Sequence, residues 1–354
     1  MRSLTFLLIA ILNIAILLSD SFKIKVLIYE GSFHGVRSKN FKIEPKGNRD
    51  FVIQYNKKKY ISEKGRRFIK AAMSLPIRGN SYTGYFLFIR INNSIKMINI
   101  LESDEYIMGV VRKEISYSWP DEAIKAQAVV ARTYAYKKYR ENKEKEFHTV
   151  ATDRDQVFGG TWNVHKKIIK NVMAVKDLVI THKGKPIKAY FHASCGGYTE
   201  EPEYVWNIEK DAQYFKPVRC YYCENFKKYA WDEVITLKQV NRSFSDYVKK
   251  IGEIKNIKTG KTSPSKRNYE IILIGRKKEN ISGNKFRLRL GAKTLPSLLF
   301  TVRKEGKALH FTGKGYGHGV GLCQWGTHQM ASDGRSYTYI INYYFKNVKI
   351  SKIN

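Results

Sequence analysis

The sequence predicts an α+β protein, a class in which strand-rich and helical stretches occupy different parts of the chain. Residues 22–101 contain strand-like apolar segments separated by Gly and Asn, and residues 103–140 contain two segments with helical end signals. Apolar residues make up 43% of the 354 residues, which is enough to form a sizeable core. Collagen-like, coiled-coil and low-complexity classes are excluded, and no repeat of fixed period is present.

The N-terminal segment has the pattern of an export signal. Arg2 precedes a largely apolar run over residues 4–18, and the small residues Ser19 and Ser21 follow. The run is shorter than the ~20 residues of a membrane-spanning helix. We therefore expect residues 1–21 to be a signal peptide, with an uncleaved membrane anchor as the alternative. Either interpretation predicts an extracytoplasmic protein at the cell wall or membrane.

The first structured part, residues 22–101, is predicted to be β-rich, with clear strands over 24–29 and 85–91. A helix is predicted from Ser103, a good N-cap with acids in the first turn behind it, to about Glu114. A longer helix is predicted over residues 119–140, because Pro and two acids open it and basic residues close it.

The rest of residues 102–350 alternates between the two types of element. A hairpin around Gly184 is expected to deliver residues 192–197 to its end. Residues 236–309 are predicted to form a basic α+β insertion. The other elements expected from the pattern are helices over 163–175 and 237–250, strands near 269–275 and 285–290, a helix ending at Met330 and a helix over 337–344.

The charge balance favours polyanionic partners. Lys and Arg number 64 against 31 Asp and Glu, a net charge of +33. Such a charge suits nucleic acid, anionic lipid or wall polymers with phosphates and carboxylates. The basic residues are spread along the chain, so drift of the overall composition is an equal alternative. Export makes nucleic acid a poor partner and leaves wall glycan, an anionic wall or membrane surface, or another extracellular polymer.

Two Gly-rich segments concentrate residues that could carry chemistry. Residues 313–326 lack the ending of a phosphate-binding loop, but their glycines would let His318 and Gln324 approach a ligand closely. A purely structural turn is the alternative. In the segment 192–197, His192 and Ser194 are close in sequence, but no triad order is evident, so a nucleophile there is only weakly indicated.

The chain has four cysteines, Cys195, Cys220, Cys223 and Cys323. Cys220 and Cys223 have the two-residue spacing of half a tetrahedral thiolate site. Cys195 and Cys323 could complete the site from the two Gly-rich segments, with His192 as another possible ligand. Disulfides and free thiols remain open, because exported proteins also pair cysteines. An iron–sulfur centre fits the same thiolates but is less expected outside the cytoplasm.

Three segments together resemble the SpoIID/LytB family. They are EISYSWPDEAIKAQAVVARTYA over 114–135, FHASCGGYTE over 191–200 and GYGHGVGLCQWG over 315–326. Three long matches in the family's order make chance an unlikely explanation. Cysteines stand at 195 and 323 where many members have hydroxyl residues, and Ser116 replaces a common Pro. We interpret the cysteines as linked changes that build a structural zinc site.

The resemblance implies a peptidoglycan lytic transglycosylase with several helices around a glycan-binding groove. Glu114 matches the family's catalytic glutamate, which acts first as acid and then as base, with no cofactor required for the chemistry. Neighbouring apolar residues would raise its pKa in the needed direction. The candidates to line the groove are Gln127, Arg132, His192, Ser194, Thr199, His318 and Gln324. For Arg132 a buried structural ion pair is an equally good interpretation.

Two other functions remain open. Some family members are described as non-catalytic wall-binding modifiers that stimulate an N-acetylmuramoyl-L-alanine amidase, so a cell-wall amidase is a possible partner. A zinc-dependent hydrolase would need an open metal position, which four thiolates would close. The sequence does not determine whether the organism sporulates or whether stem peptides must first be removed.

Overall fold

The computed structural model of the chain describes residues 22–36, 40–208 and 212–353. The predicted signal peptide or anchor, residues 1–21, lies outside the described residues. Within the described part, no helix is long and apolar enough to span a bilayer. Two compact units are distinguished, each assembled from separate stretches of chain. The first comprises the described residues up to 117, residues 131–179 and those from 351; the second comprises residues 118–130 and 180–350.

Strands account for much of both units. In chain order they are β1 (Lys23–Ser32), β2 (Phe41–Lys46), β3 (Asp50–Tyr55), β4 (Lys58–Ile61), β5 (Arg66–Ile77), β6 (Asn80–Ile91), β7 (Ser94–Glu102), β8 (Thr149–Val150), β9 (Leu178–His182), β10 (Lys185–Pro186), β11 (Phe191–His192), β12 (Ala230–Thr236), β13 (Asn256–Thr259), β14 (Glu270–Ile274), β15 (Lys278–Ser282), β16 (Phe300–Glu305), β17 (Ala308–Lys314), β18 (Leu322–Cys323) and β19 (Lys349–Lys352).

Helices are interspersed among these strands from residue 103 onward. They are α1 (Ser103–Glu114), α2 (Asp121–Glu141), α3 (Lys166–Ala174), α4 (Pro202–Trp206), α5 (Leu237–Ser243), α6 (Ser245–Ile251), α7 (Gly283–Leu290), α8 (Gln324–Ser332) and α9 (Tyr337–Tyr344). Short 3-10 helices cover Phe33–Val36 and Gln213–Phe215. The predicted α+β class is confirmed.

The first unit is built on a five-stranded sheet of order β5-β6-β7-β1-β8. Strands β1 and β7 are antiparallel, with Lys23 opposite Glu102, whereas β8 pairs with β1 in parallel. Alternate side chains of β1, such as Ile24 and Val26, are fully buried, as expected for a strand with one covered face. Because β7 leads directly into α1, the sheet fixes where that helix starts.

The second unit contains a subdomain with its own apolar core. Its sheets have the orders β12-β17-β16 and β13-β14-β15. A cluster of buried side chains running from Trp231 to Phe311, among them Phe244, Phe286 and Leu309, fills the interior. Most residues of this cluster come from the stretch 236–309, which the sequence predicts as a basic α+β insertion.

A two-stranded parallel ladder joins the two Gly-rich segments of the second unit. Phe191 lies opposite Leu322 and His192 opposite Cys323 in the pairing of β11 with β18. The hairpin expected around Gly184 is shorter than predicted, because its returning strand, β10, ends at Pro186, and Phe191–His192 pair with β18 instead. Segments far apart in sequence are brought together by these backbone hydrogen bonds.

Two other element predictions are wrong in detail. The stretch predicted as a strand over 285–290 is the helix α7, which begins where the Ser282 hydroxyl accepts a hydrogen bond from the Lys285 amide at 3.3 Å. The helix predicted over 237–250 is divided into α5 and α6 at Phe244, whose backbone leaves the helical region and whose side chain is fully buried. In both places tertiary packing and capping outweigh the local residue pattern.

Candidate active site, motif loops and cysteine cluster

Glu114 is the last residue of α1, and its carboxyl is oriented by the backbone of a neighbouring loop. The helix ends as Ile115 adopts an extended conformation, with its amide still bonded to the Val111 carbonyl. The Val157 amide donates to Glu114 Oε1 at 3.2 Å. The carboxyl group is therefore held at the rim of the first unit, half-buried rather than freely rotating.

The loop that carries Val157 is fixed by a buried carboxylate, Asp155. Its oxygens accept hydrogen bonds from Tyr134 at 2.7 Å and from the Val150 amide at 2.9 Å, and Lys138 pairs with it at 2.7 Å. Burial alone would raise the pKa of Asp155, but the bonds from Lys138 and Tyr134 outweigh it and lower the pKa. A stable anion at Asp155 thus anchors the loop that orients Glu114.

An exposed aromatic surface follows Glu114 in the first unit. The rings of Tyr117 and His165 are stacked, with centroids 4.1 Å apart and planes 15° apart. His165 caps α3 by accepting the Lys167 amide at 3.2 Å, which fixes its imidazole. Tyr117 and Trp162 are 53% and 51% exposed, and Arg112 donates to the Trp162 carbonyl. Large aromatic faces left in solvent are typical of binding surfaces.

Arg132 is fully enclosed in the first unit. It pairs with Asp104 at 2.9 Å and donates to the carbonyls of Val175 and Val172 at 2.7 and 3.3 Å. Of the two interpretations of Arg132, the structure shows the buried structural ion pair. The guanidinium joins α1 to the end of α3, and no part of it reaches the surface.

In the second unit the two motif histidines lie side by side, with ring centroids 5.6 Å apart. His192 Nδ1 donates to the Val320 carbonyl at 3.1 Å, and His318 Nδ1 accepts from the Val320 amide at 3.0 Å. Burial, with the charge of Arg267, lowers the pKa of His192 to about 3. Burial likewise lowers the pKa of His318, with His192 contributing. Both rings are therefore neutral at neutral pH, which suits them to hydrogen bonding rather than to proton donation as cations.

The remaining candidate side chains of the second unit are almost completely buried. The Thr199 hydroxyl accepts the Val218 amide at 2.8 Å, and Gln324 donates to Gln127 at 3.5 Å. Within the described residues, Gln127 Nε2 and His192 Nε2 have no hydrogen-bond partner, whereas the Ser194 hydroxyl is within reach of the Cys223 sulfur. Each such group costs about 1–3 kcal/mol when left unpaired in the interior, so each is suited to an ordered water.

The four cysteines converge in the second unit. Their sulfur atoms all lie within 4.8 Å of one another, and every cysteine is buried and free of disulfide bonds. Cys195 Sγ and Cys223 Sγ are 3.5 Å apart, and the Cys195 amide donates to Cys323 Sγ at 3.3 Å. Zinc–thiolate bonds of about 2.3 Å in a tetrahedron place sulfur atoms about 3.8 Å apart. The donor set and its spacing therefore fit one tetrahedral metal ion.

The chain is similar to proteins of the SpoIID family. A family model described as Stage II sporulation protein (SpoIID) matches residues 91–182. An uncharacterized protein of Brachyspira hyodysenteriae is 34% identical over 279 residues, covering 78% of this chain and 74% of the relative. Stage II sporulation protein D of Bacillus subtilis is 27% identical over 310 residues, covering 82% and 83%. The chain belongs to the SpoIID family.

Two further similarities extend beyond residues 91–182. A model described as a domain of unknown function (DUF8618) matches residues 201–321, which include the apolar subdomain and Cys220, Cys223 and His318. The amidase enhancer of Bacillus subtilis is 27% identical over 296 residues, which cover 69% of this chain and 40% of the relative. The resemblance inferred from the three motifs is thus confirmed at the level of the family.

Several residues of this SpoIID-family chain were not predicted from the sequence. Tyr117 and His165 form an exposed aromatic stack, Trp162 is exposed in the same unit, and Asp155 anchors the loop at Glu114. Tyr117 could have been found, since it lies in the first motif three residues after Glu114. His165 and Trp162 come from a polar stretch without any motif, so only the folded chain brings His165 onto Tyr117.

Proposed function

We propose that this chain is a lytic transglycosylase that cleaves the β-1,4 bond between N-acetylmuramic acid and N-acetylglucosamine in peptidoglycan. The carrying observation is that Glu114 ends α1 with its carboxyl oriented by Val157 and is followed by the exposed Tyr117–His165 stack. Sugar rings have apolar C–H faces that can pack on aromatic rings. A carboxyl beside such a surface is suited to protonate a glycosidic oxygen.

In the proposed reaction Glu114 acts twice. Its neutral carboxyl gives a proton to the glycosidic oxygen as the bond from that oxygen to C1 of the muramic ring breaks. The carboxylate then takes the proton of the muramic C6 hydroxyl, whose oxygen bonds to C1 and closes a 1,6-anhydro ring. Glu114 ends the cycle protonated and no water is consumed. One carboxyl is therefore sufficient, whereas hydrolysing glycosidases use two.

In the motif loops of the second unit, His318 is the one proposed groove residue that is partly exposed, and its neutral imidazole could hydrogen-bond a sugar hydroxyl or N-acetyl group. The buried His192, Ser194, Gln127 and Gln324 are assigned a supporting role behind it, because they have little surface to offer a ligand. Thr199 and Arg132 support the backbone in our interpretation, since each is enclosed by protein partners.

Replacing the proposed acid is the decisive test. Glu114→Gln keeps the side-chain shape but cannot donate the carboxyl proton, so we expect a loss of glycan cleavage of at least about a hundredfold with binding retained. The measurement is mass spectrometry of products from peptide-free glycan strands, in which anhydro ends identify the reaction. Glu105→Gln, the same change on the exposed first turn of α1, is the matched control. Full activity in Glu114→Gln would rule out this mechanism.

A second candidate function is stimulation of a wall amidase without cleavage of the glycan. The similarity to the amidase enhancer of Bacillus subtilis favours it. The same assay separates the two: intact glycan strands, together with faster release of stem peptides by an added N-acetylmuramoyl-L-alanine amidase, would identify a stimulator. The exported location at the wall or membrane, predicted from residues 1–21, is part of both proposals.

We further propose that the four cysteines hold one structural zinc ion. Four buried thiolates would leave no open coordination position for a water, so the ion would stabilise the fold and take no part in bond cleavage. Bound there, it would connect the β11–β18 ladder, through Cys195 and Cys323, to the loop of Cys220 and Cys223.

A further inference from the structure

A cleft of about 950 Å³ opens in the second unit between α4, β15 and α7. All of its lining residues belong to the stretch 203–289, and none is among the candidate site residues described above. Its wall is aromatic: the rings of Tyr204 and Tyr269 are 5.2 Å apart, and Trp206 completes the surface. This part of the chain falls within the region matched by the domain of unknown function.

The polar groups of the cleft are those that recognise uncharged sugars. Asn207, Asn280 and Asn284 carry amides that both donate and accept hydrogen bonds, and Glu203 and Glu270 offer acceptors. Aromatic walls combined with a few such groups are characteristic of small-molecule and saccharide sites.

The charges of the cleft argue against a phosphate-rich polymer and favour the uncharged N-acetylglucosamine units of a glycan. Arg289 is engaged by both carboxylate oxygens of Asp246, at 2.5 and 2.9 Å, and the Lys285 ammonium donates to the Tyr247 hydroxyl at 3.1 Å. The carboxylates of Glu203 and Glu270 would repel phosphates. Despite the net charge of +33, this cleft is therefore electrostatically mixed and does not suit nucleic acid.

The cleft is connected to the motif loops through Trp206. Its ring lies 4.9 Å from that of His318 and 4.8 Å from that of Tyr190. Helix α4, which carries Trp206, begins two residues after Glu200, the end of the second motif. A ligand on this aromatic wall would thus contact a residue that packs directly on the motif histidine.

We propose that this cleft is a second carbohydrate site, which binds N-acetylated amino sugars of a polysaccharide chain. The site would hold the polymer on the second unit independently of Glu114, which belongs to the first unit. The inference rests on the proposed function for the identity of the polymer, peptidoglycan glycan. It assigns glycan binding to the region matched by the domain of unknown function.

The test measures binding and not cleavage. The full chain carrying Glu114→Gln is titrated with soluble peptide-free glycan strands, and the affinity is measured by calorimetry with and without Tyr204→Ala. Loss of one stacking wall should weaken binding about tenfold. Chitin oligosaccharides should show the same loss, since they share the N-acetylated sugar. Tyr339→Ala removes a 43%-exposed tyrosine of the same unit outside the cleft, and is expected to leave affinity unchanged.

The outcomes are distinct. Unchanged affinity in Tyr204→Ala, confirmed as folded by its thermal transition, would overturn the second site. Equal weakening in Tyr339→Ala would also overturn it, because the effect would then not belong to the cleft. Failure of the proposed function has a different signature, namely the absence of anhydro products from the unmodified chain, whatever the binding results.

Discussion

The ring of Tyr117 has one face covered by the imidazole of His165, yet 53% of the residue is exposed. The His165 imidazole is fixed because it caps α3, and it holds the Tyr117 ring in place by stacking on it. Binding of a ligand to Tyr117 would therefore cost little further conformational entropy. In the proposed reaction, such a preorganised aromatic surface three residues after Glu114 would position a sugar for proton transfer.

We therefore expect Tyr117→Ala to raise KM for glycan strands about tenfold with little change in kcat, because a stacking face used for ground-state and transition-state binding alike is lost. Tyr117→Phe keeps the face and should behave like the unmodified chain. His165→Asn retains a good N-cap but removes the supporting ring, so its KM should lie between the two. Steady-state kinetics check all three, and an unaltered KM in Tyr117→Ala would remove the surface from the substrate site.

Single residues also show where sequence reasoning ends. The motif predicts a catalytic role for Glu114, which stays a prediction, whereas for Arg132, eighteen positions on in the same motif, the sequence allows two interpretations. Its partner Asp104 lies 28 positions away in the sequence, and the residues whose carbonyls it binds lie about 40 positions away. Only the packing of α1, α2 and α3 brings these groups together, so no local pattern could have decided between them.

Among the elements, the loop between β8 and α3 depends on the charge of Asp155. The pKa of this buried carboxyl is below its usual value of 3.8, so it stabilises the folded state fully above about pH 4 and loses that contribution as pH falls. Asp155→Asn should lower the free energy of unfolding at pH 7 by about 2 kcal/mol. The difference between variant and unmodified chain should shrink below pH 4. Urea unfolding at a series of pH values measures it, and a difference independent of pH would contradict the assignment.

Helices with acids in their first turn were predicted well in their bounds, as α1 and α2 show. The N-cap predicted for α1 is wrong: Ser103 is the first residue of the helix, and Glu102 takes the cap position without a side-chain capping hydrogen bond. Helix α9 also lies close to its expected bounds. The stretch 285–290 was mistaken for a strand, since its apolar residues alternate with basic ones. The Ser282 cap and the burial of Phe286 in the subdomain core select a helix instead.

For the whole molecule, the convergence of the four cysteines was predictable from the sequence, but the burial of the motif loops was not. Spacing suggested one pair of thiols, and the departures from the family pattern suggested the other. The parallel pairing of β11 with β18 places His192 opposite Cys323 and so brings Cys195, three residues after His192, close to Cys323. The same pairing buries His192 and Ser194, which the sequence predicts at the end of a hairpin, where a strand enters a loop. Long-range pairings of this kind leave no local signature.

The proposed zinc makes a prediction about the stability of the entire second unit. Purified protein should contain about one zinc ion per chain. Cys223→Ser should lower the zinc content and, with it, the midpoint temperature of thermal unfolding by about 10 °C. Chelation should have the same effect, because an ion bound only by the folded chain stabilises it by mass action. Activity should fall only as folding fails. Elemental analysis with calorimetry provides the measurement, and a zinc-free chain with an unchanged transition after Cys223→Ser would show that the four sulfur atoms stabilise the core without a metal.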